Sequence, residues 1–122
     1  MSLIAKIIVG LIGLLHVYIL WFEMFAWTSR GPKIFKSFPK DLFEPTKTLA
    51  ANQGLYNGFL AAGLFWSLLI HDLHWQQNVA ICFLLFVFVA GIYGALTASR
   101  NILFVQVIPA LLGLLAIFST NP

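Results

Sequence analysis

Four apolar stretches, 3–27, 46–70, 78–97 and 101–119, take up most of this 122-residue chain. Each approaches or exceeds the roughly 20 residues that a helix needs to cross a hydrocarbon core at about 1.5 Å per residue. Lipid offers no water to backbone N–H and C=O groups, so a segment crossing it in this way must be helical. With 61% hydrophobic and only 9% charged residues, the chain lies outside the range of ordinary soluble domains. The expected fold is therefore all-α, an integral membrane four-helix bundle forming a single domain over 1–122. A signal peptide is the weaker reading of the first stretch, because the run is too long and no small-x-small cleavage site precedes Glu23.

Charge sets the expected topology. The segment 28–45 carries Arg30, Lys33, Lys36 and Lys40, Lys47 follows it, and Arg100 lies in the turn between the last two stretches. Only Lys6 stands on the other side. By the positive-inside rule both basic segments are cytoplasmic and both termini extracytoplasmic, in a multi-pass protein of the cell (inner or plasma) membrane. Trp66 and Trp75 then flank the outer interface and Trp27 the inner one. The net charge of +3 reads as topology and contact with membrane lipids, not as a nucleic-acid footprint. Within 28–45, Ile34, Phe35, Phe38, Leu42 and Phe43 alternate with lysines. This suggests a short amphipathic piece on the inner leaflet, with a basic tether and a partial lid as the other readings. Pro45 suits the first turn of the second helix.

The second stretch contains AANQGLYNGFLAA at 50–62. At about 100° per residue, Asn52, Gln53, Tyr56 and Asn57 share one arc while Gly54, Gly58 and Ala62 share the opposite one. The small face predicts close helix approach; the amide face is expected to point into the bundle, toward Glu23 and His16 of the first helix. In this topology Glu23, the amides, Arg100 and Asn101 all fall in the cytoplasmic half, giving a candidate ligand-binding set of His16, Glu23, Asn52, Gln53, Tyr56, Asn57, Arg100 and Asn101. His16 and Glu23 share a helix face but stand about 10 Å apart along the axis, so something else must connect them.

Plainer roles compete with binding at each of these positions. The amides can be inter-helix glue, His16 a hydrogen-bonded packing residue, Arg100 a topology anchor, and Glu23 a hydrated partner of Arg100 or a loop lysine. No metal site is expected, since His71 and His74 lie at the outer surface while His16 lies near the middle of its helix, and no cofactor can be assigned. Cys82 reads as a small packing residue. Further small residues, Gly10 and Gly13 in the first helix and Gly91 and Gly94 in the third, offer faces for a homo-oligomer, and Pro109 predicts a kink in the fourth.

Two stretches, HVYILWFEMFAW at 16–27 and LAANQGLYNGFLAAGL at 49–64, resemble the signature of a bacterial and fungal family of small four-helix membrane proteins, the domain-of-unknown-function family thirteen-oh-four. The likeness covers nearly the whole chain and implies an integral membrane protein of this size, but brings no established activity. A looser likeness to DoxX-like proteins rests on size and helix number only. Small multidrug transporters also carry a glutamate in helix one, but not so near its end and not with a long basic loop. The residues themselves favour binding of a small or lipidic ligand in a polar pocket of the cytoplasmic half. Three alternatives stand beside that reading: a proton-coupled transporter using Glu23, a membrane enzyme using His16 and Glu23 as acid and base, and a structural subunit. The balance leans away from an enzyme.

Overall fold

The computed structural model describes residues 1–119; the last three positions of the domain expected over 1–122, and with them the C-terminal end of the expected topology, lie outside the described residues. Every regular element in that range is helical, and there is no strand among the described residues. α1 (Leu3–Phe25) starts where the Ser2 hydroxyl accepts the backbone N–H of Ala5 at 3.1 Å, a serine N-cap. It stops short of the expected 27 because Ala26, with φ of −125°, leaves the helical region. α2 (Trp27–Ile34) follows directly, then a 3₁₀ turn at Lys40–Leu42, then α3 (Lys47–Leu69).

α4 (Leu73–Thr97) begins before the expected residue 78. Asp72 accepts the N–H of Trp75 at 2.9 Å as an N-cap, and Asn78 and His74, one turn apart, are hydrogen-bonded at 3.2 Å. Polar residues that read as loop are thus held in the first turns of a helix. The last stretch is not one α-helix from 101: Leu103–Val107 forms a π-turn and α5 runs over Ile108–Ser119. Pro109 has no N–H to give the carbonyl four residues back, and the N–H of Ile108 reaches five residues back to the Leu103 carbonyl. The disturbance expected at the proline takes the form of a widened turn on its N-terminal side.

The chain gathers into two compact units, one made of Met1–Gly13 and the chain from Ala62 onward, the other of Leu14–Ala61. In the first unit α4 buries a single stripe, Gln76, Ala80, Leu84, Val87 and Gly91, and α5 buries Ala110, Gly113, Leu114 and Ile117. Small residues let these backbones approach: a Cβ on Gly91 would stand 2.7 Å from Val107 Cγ2 and 3.2 Å from the Val107 backbone nitrogen. The opposite faces are exposed and apolar, with Leu85, Phe86, Val89 and Leu96 on α4 and Leu3, Ile4 and Ile7 on α1. In water such continuous apolar surface would drive association; in lipid it has no such penalty. Among the described residues, α1 and α4 are the two helices long and apolar enough to cross a membrane. α3 matches α1 in length, 23 residues each, but carries the amides that dilute its hydropathy.

In the second unit the basic segment folds on itself. The Trp27 ring lies 5.0 Å from Phe43 and 6.0 Å from each of Phe22 and Phe38, and its Nε1 donates to Thr46 Oγ1 at 3.0 Å. Phe43 is 2% exposed and packs against buried Gly31. The amphipathic piece expected over Ile34 to Phe43 is therefore modified: Phe38 and Phe43 turn inward onto Trp27, because rings packed edge-on and tilted against one another bury more apolar area than rings pointing outward. Ile34 and Leu42, with Arg30, Lys33, Lys36 and Lys40, remain exposed. Pro45 precedes α3 within a turn and is not in its first helical turn.

Gly91→Ala should lower stability by about 1–3 kcal/mol, since the added methyl meets backbone. Gly10→Ala, whose Cβ would find Leu68 at 3.7 Å, should be close to neutral. Thermal unfolding of the purified variants in detergent checks the pair; equal midpoints would contradict this packing.

Candidate functional site

The close approach of α3 to the second half of α1 builds the site. A Cβ on Gly54 would stand 2.9 Å from Met24 Cγ, 3.0 Å from Glu23 Cβ and 3.1 Å from the Leu20 carbonyl oxygen, and one on Gly58 would overlap Leu20 Cδ1. Without side chains at 54 and 58, the two backbones come near enough for a short amide to span them. Asn57 Nδ2 donates to Glu23 Oε1 at 2.6 Å, and also to the Gln53 main-chain carbonyl at 3.1 Å. Asn57 is 9% exposed, and Glu23 is half-buried beside it. A carboxylate so placed has exchanged part of its hydration for a charge-assisted hydrogen bond, which holds its orientation.

Glu23 forms one wall of a cleft of about 300 Å³ where α1 ends, α2 begins and α3 starts. Thr28, Lys47 and Thr48 supply the other polar groups; Met24 and Trp27 supply apolar surface. Lys47 is paired with Glu44, Nζ to Oε1 at 2.6 Å. Trp27 is fixed in the aromatic cluster and by Thr46, whose Oγ1 in turn donates to the Leu42 carbonyl at 2.7 Å. The cleft can accept a hydrogen-bond donor at the acid, offer hydroxyls beside it and cover an apolar body. Its volume is at the small end of ligand sites, which run from about 300 to 1,000 Å³.

The expected set is only partly assembled. Glu23 and Asn57 meet directly. His16 lies in the same unit, fully buried on α1. Gln53 contributes through its carbonyl, while its side chain and that of Asn52 are exposed. Tyr56 is 60% exposed and packs edge-on against Phe59. The expectation that all four polar side chains of α3 face the interior is corrected. Asn57 is about 60° from Gly54 around the helix, whereas Asn52 is about 160° away, so a packed face centred on the glycines takes in only the former. Arg100 and Asn101 are exposed in the turn after α4 and belong to the other compact unit. Several glycines make close contacts within the chain: Gly13 lies against Phe65, Gly58 against Leu20, and Gly94 against Ile102.

Thr28, Lys47 and Thr48 were absent from the expected set. A signal for the α3 wall exists: Lys47, Ala51, Gly54 and Gly58 follow one another at helical spacing, so extending the glycine stripe toward the start of α3 reaches the cleft. Thr28 had no comparable signal, since its place depends on the bend at Ala26.

A family model described as Protein of unknown function (DUF1304) matches residues 10–118. A relative from Lactococcus lactis subsp. lactis (strain IL1403), named Uncharacterized protein YpaA, is 28% identical over 120 residues, covering 97% of this chain and 99% of its own. No solved structure matches the chain.

The Glu23–Asn57 bond should appear as coupling between Glu23→Ala and Asn57→Ala. A double-mutant cycle on unfolding in detergent should give an interaction of about 1–2 kcal/mol. Additivity within about 0.3 kcal/mol would mean the contact contributes nothing measurable.

Proposed function

The chain belongs to this family of proteins of unknown function, and from the cleft beside Glu23 we propose that it is a membrane protein that binds a small or lipidic ligand at that residue. The observation that carries the reading is the half-buried carboxylate held by Asn57 at the wall of the cleft. An ionisable group within an apolar helix is costly to keep, and a structural role alone would be met by an amide or hydroxyl. The ligand that suits the lining has a hydrogen-bond donor, such as an amine or hydroxyl, for the Glu23 carboxylate, and an apolar portion for Met24 and Trp27.

The proposed setting is a four-span bundle in the cell membrane with both termini extracytoplasmic. α3 joins α1 and α4 as a span because its 23 residues extend roughly 34 Å and its outward residues include Leu49, Leu55, Phe59 and Leu69. The π-turn together with α5 provides the fourth. Arg30, Lys33, Lys36, Lys40, Lys47 and Arg100 on one side against Lys6 on the other support the orientation, and open the Glu23 cleft toward the cytoplasmic leaflet.

Native mass spectrometry of the detergent-purified protein should reveal a co-purifying small molecule or lipid. Glu23→Gln, which retains an acceptor for Asn57 but loses the charge, should lower its occupancy about tenfold, equivalent to about 1.4 kcal/mol. Undiminished occupancy in the variant would overturn the assignment of the acid to the ligand. Orientation is read separately: in a Cys82→Ala background, Lys36→Cys should react with an impermeant maleimide only when the cytoplasmic face is opened, and labelling of intact cells would reverse the topology.

A further inference from the structure

A second cleft, of about 580 Å³, lies wholly within the other compact unit, where the start of α1 meets the turn between α3 and α4. Lys6 and His71 supply its polar rim, and Leu68, Leu69 and Leu73 its apolar wall. Gln76, 6% exposed, also lines it. Its Nε2 donates to the Ile70 carbonyl at 3.2 Å and its Oε1 accepts from the Met1 main-chain nitrogen at 3.4 Å, so one buried amide ties both sides of the rim together. The acid nearest in sequence, Asp72, does not line the cleft and is engaged in capping α4.

We propose that this cleft binds the phosphate of an anionic phospholipid, with Lys6 and an N–H of His71 on the phosphate oxygens and the upper acyl chain along the leucines. The inference goes beyond the Glu23 ligand and shares with it only the membrane setting. Four observations support it. The lining pairs an ammonium and an imidazole with no carboxylate, which selects an anion. Leu69 and Leu73 are 74% and 55% exposed on the same rim, which selects an anion attached to a hydrocarbon chain over a free one. Trp66 and Trp75, 55% and 60% exposed and close in sequence to the turn, mark the depth at which headgroups lie. Lys6 is also the lone lysine or arginine on the face that positive-inside bias depletes. A cation retained there against that bias is accounted for if it has an anion to hold.

The test is native mass spectrometry of the full-length protein titrated with phosphatidylglycerol, with phosphatidylcholine of the same chains, and with glycerol phosphate. Wild type should bind phosphatidylglycerol best and glycerol phosphate hardly at all. Lys6→Ala should weaken phosphatidylglycerol binding about fivefold, the ratio for about 1 kcal/mol per basic residue at a lipid surface. His71→Gln should weaken it as well, and Lys40→Ala, in the basic segment, should affect it much less. Equal binding of the two lipids, or an equal loss in Lys40→Ala, would overturn the site; glycerol phosphate binding as tightly as the lipid would overturn the phospholipid assignment. Carbonate extraction of membranes from the expressing cells separates the readings. A protein released into the aqueous phase refutes the membrane setting common to both clefts, whereas a retained protein with unselective lipid binding refutes this site alone.

Discussion

Two backbones pressed together without intervening side chains decide what the second unit can do. At Gly54 the nearest atoms on α1 include a main-chain oxygen, so the spacing cannot be relieved by moving a side chain. That spacing is what brings a short amide within 2.6 Å of a carboxylate from another helix. The same nitrogen also serves the Gln53 carbonyl, using both donors of one amide group. In an apolar environment a polar group is kept only if partnered, so the glycines and the acid form one arrangement, in which the second would be costly without the first.

The segment after α1 completes the wall. It begins with a bend at Ala26 and is then held by rings, Trp27 against Phe22, Phe38 and Phe43, with the indole N–H engaged by Thr46. Aromatic side chains spend little conformational entropy for the area they bury, which makes them effective in fixing a short basic segment whose regular elements are one eight-residue helix and a 3₁₀ turn. Its cations stay outward as a consequence: the interior of the segment is filled by rings. The cleft beside Glu23 is therefore framed on one side by a helix and on the other by an anchored indole.

The first unit meets the same packing problem differently. α4 has a narrow buried stripe ending at Gly91, and the chain that returns along it is wound as a π-turn before Pro109. Pro109 has no N–H to donate, and in the wider turn before it the N–H of Ile108 takes the Leu103 carbonyl, five residues back, as its acceptor. What remains on the outer faces of α1 and α4, the two helices long and apolar enough to cross a membrane among the described residues, is largely apolar.

Helical content, the approximate stretches and the need of Glu23 and Asn57 for partners were legible in the residues, because long apolar runs permit little but helices and because ionisable or amide groups in such runs need partners. Family membership was legible too, from the stretches around His16 and Asn57. The start of α4 was not, since His74, Gln76 and Asn78 are ordinary loop residues until Asp72 caps them. Nor was the side of α3 that faces inward: the amides span a broad arc, and periodicity alone does not say which edge of it is packed. Only the tertiary contact of Gly54 and Gly58 with Leu20, Glu23 and Met24 decided that Asn57 turns in while Asn52 and Tyr56 turn out. Sequence determines which residues must find partners; the distance of closest approach between helices, a property of the packed pair, determines which of them can.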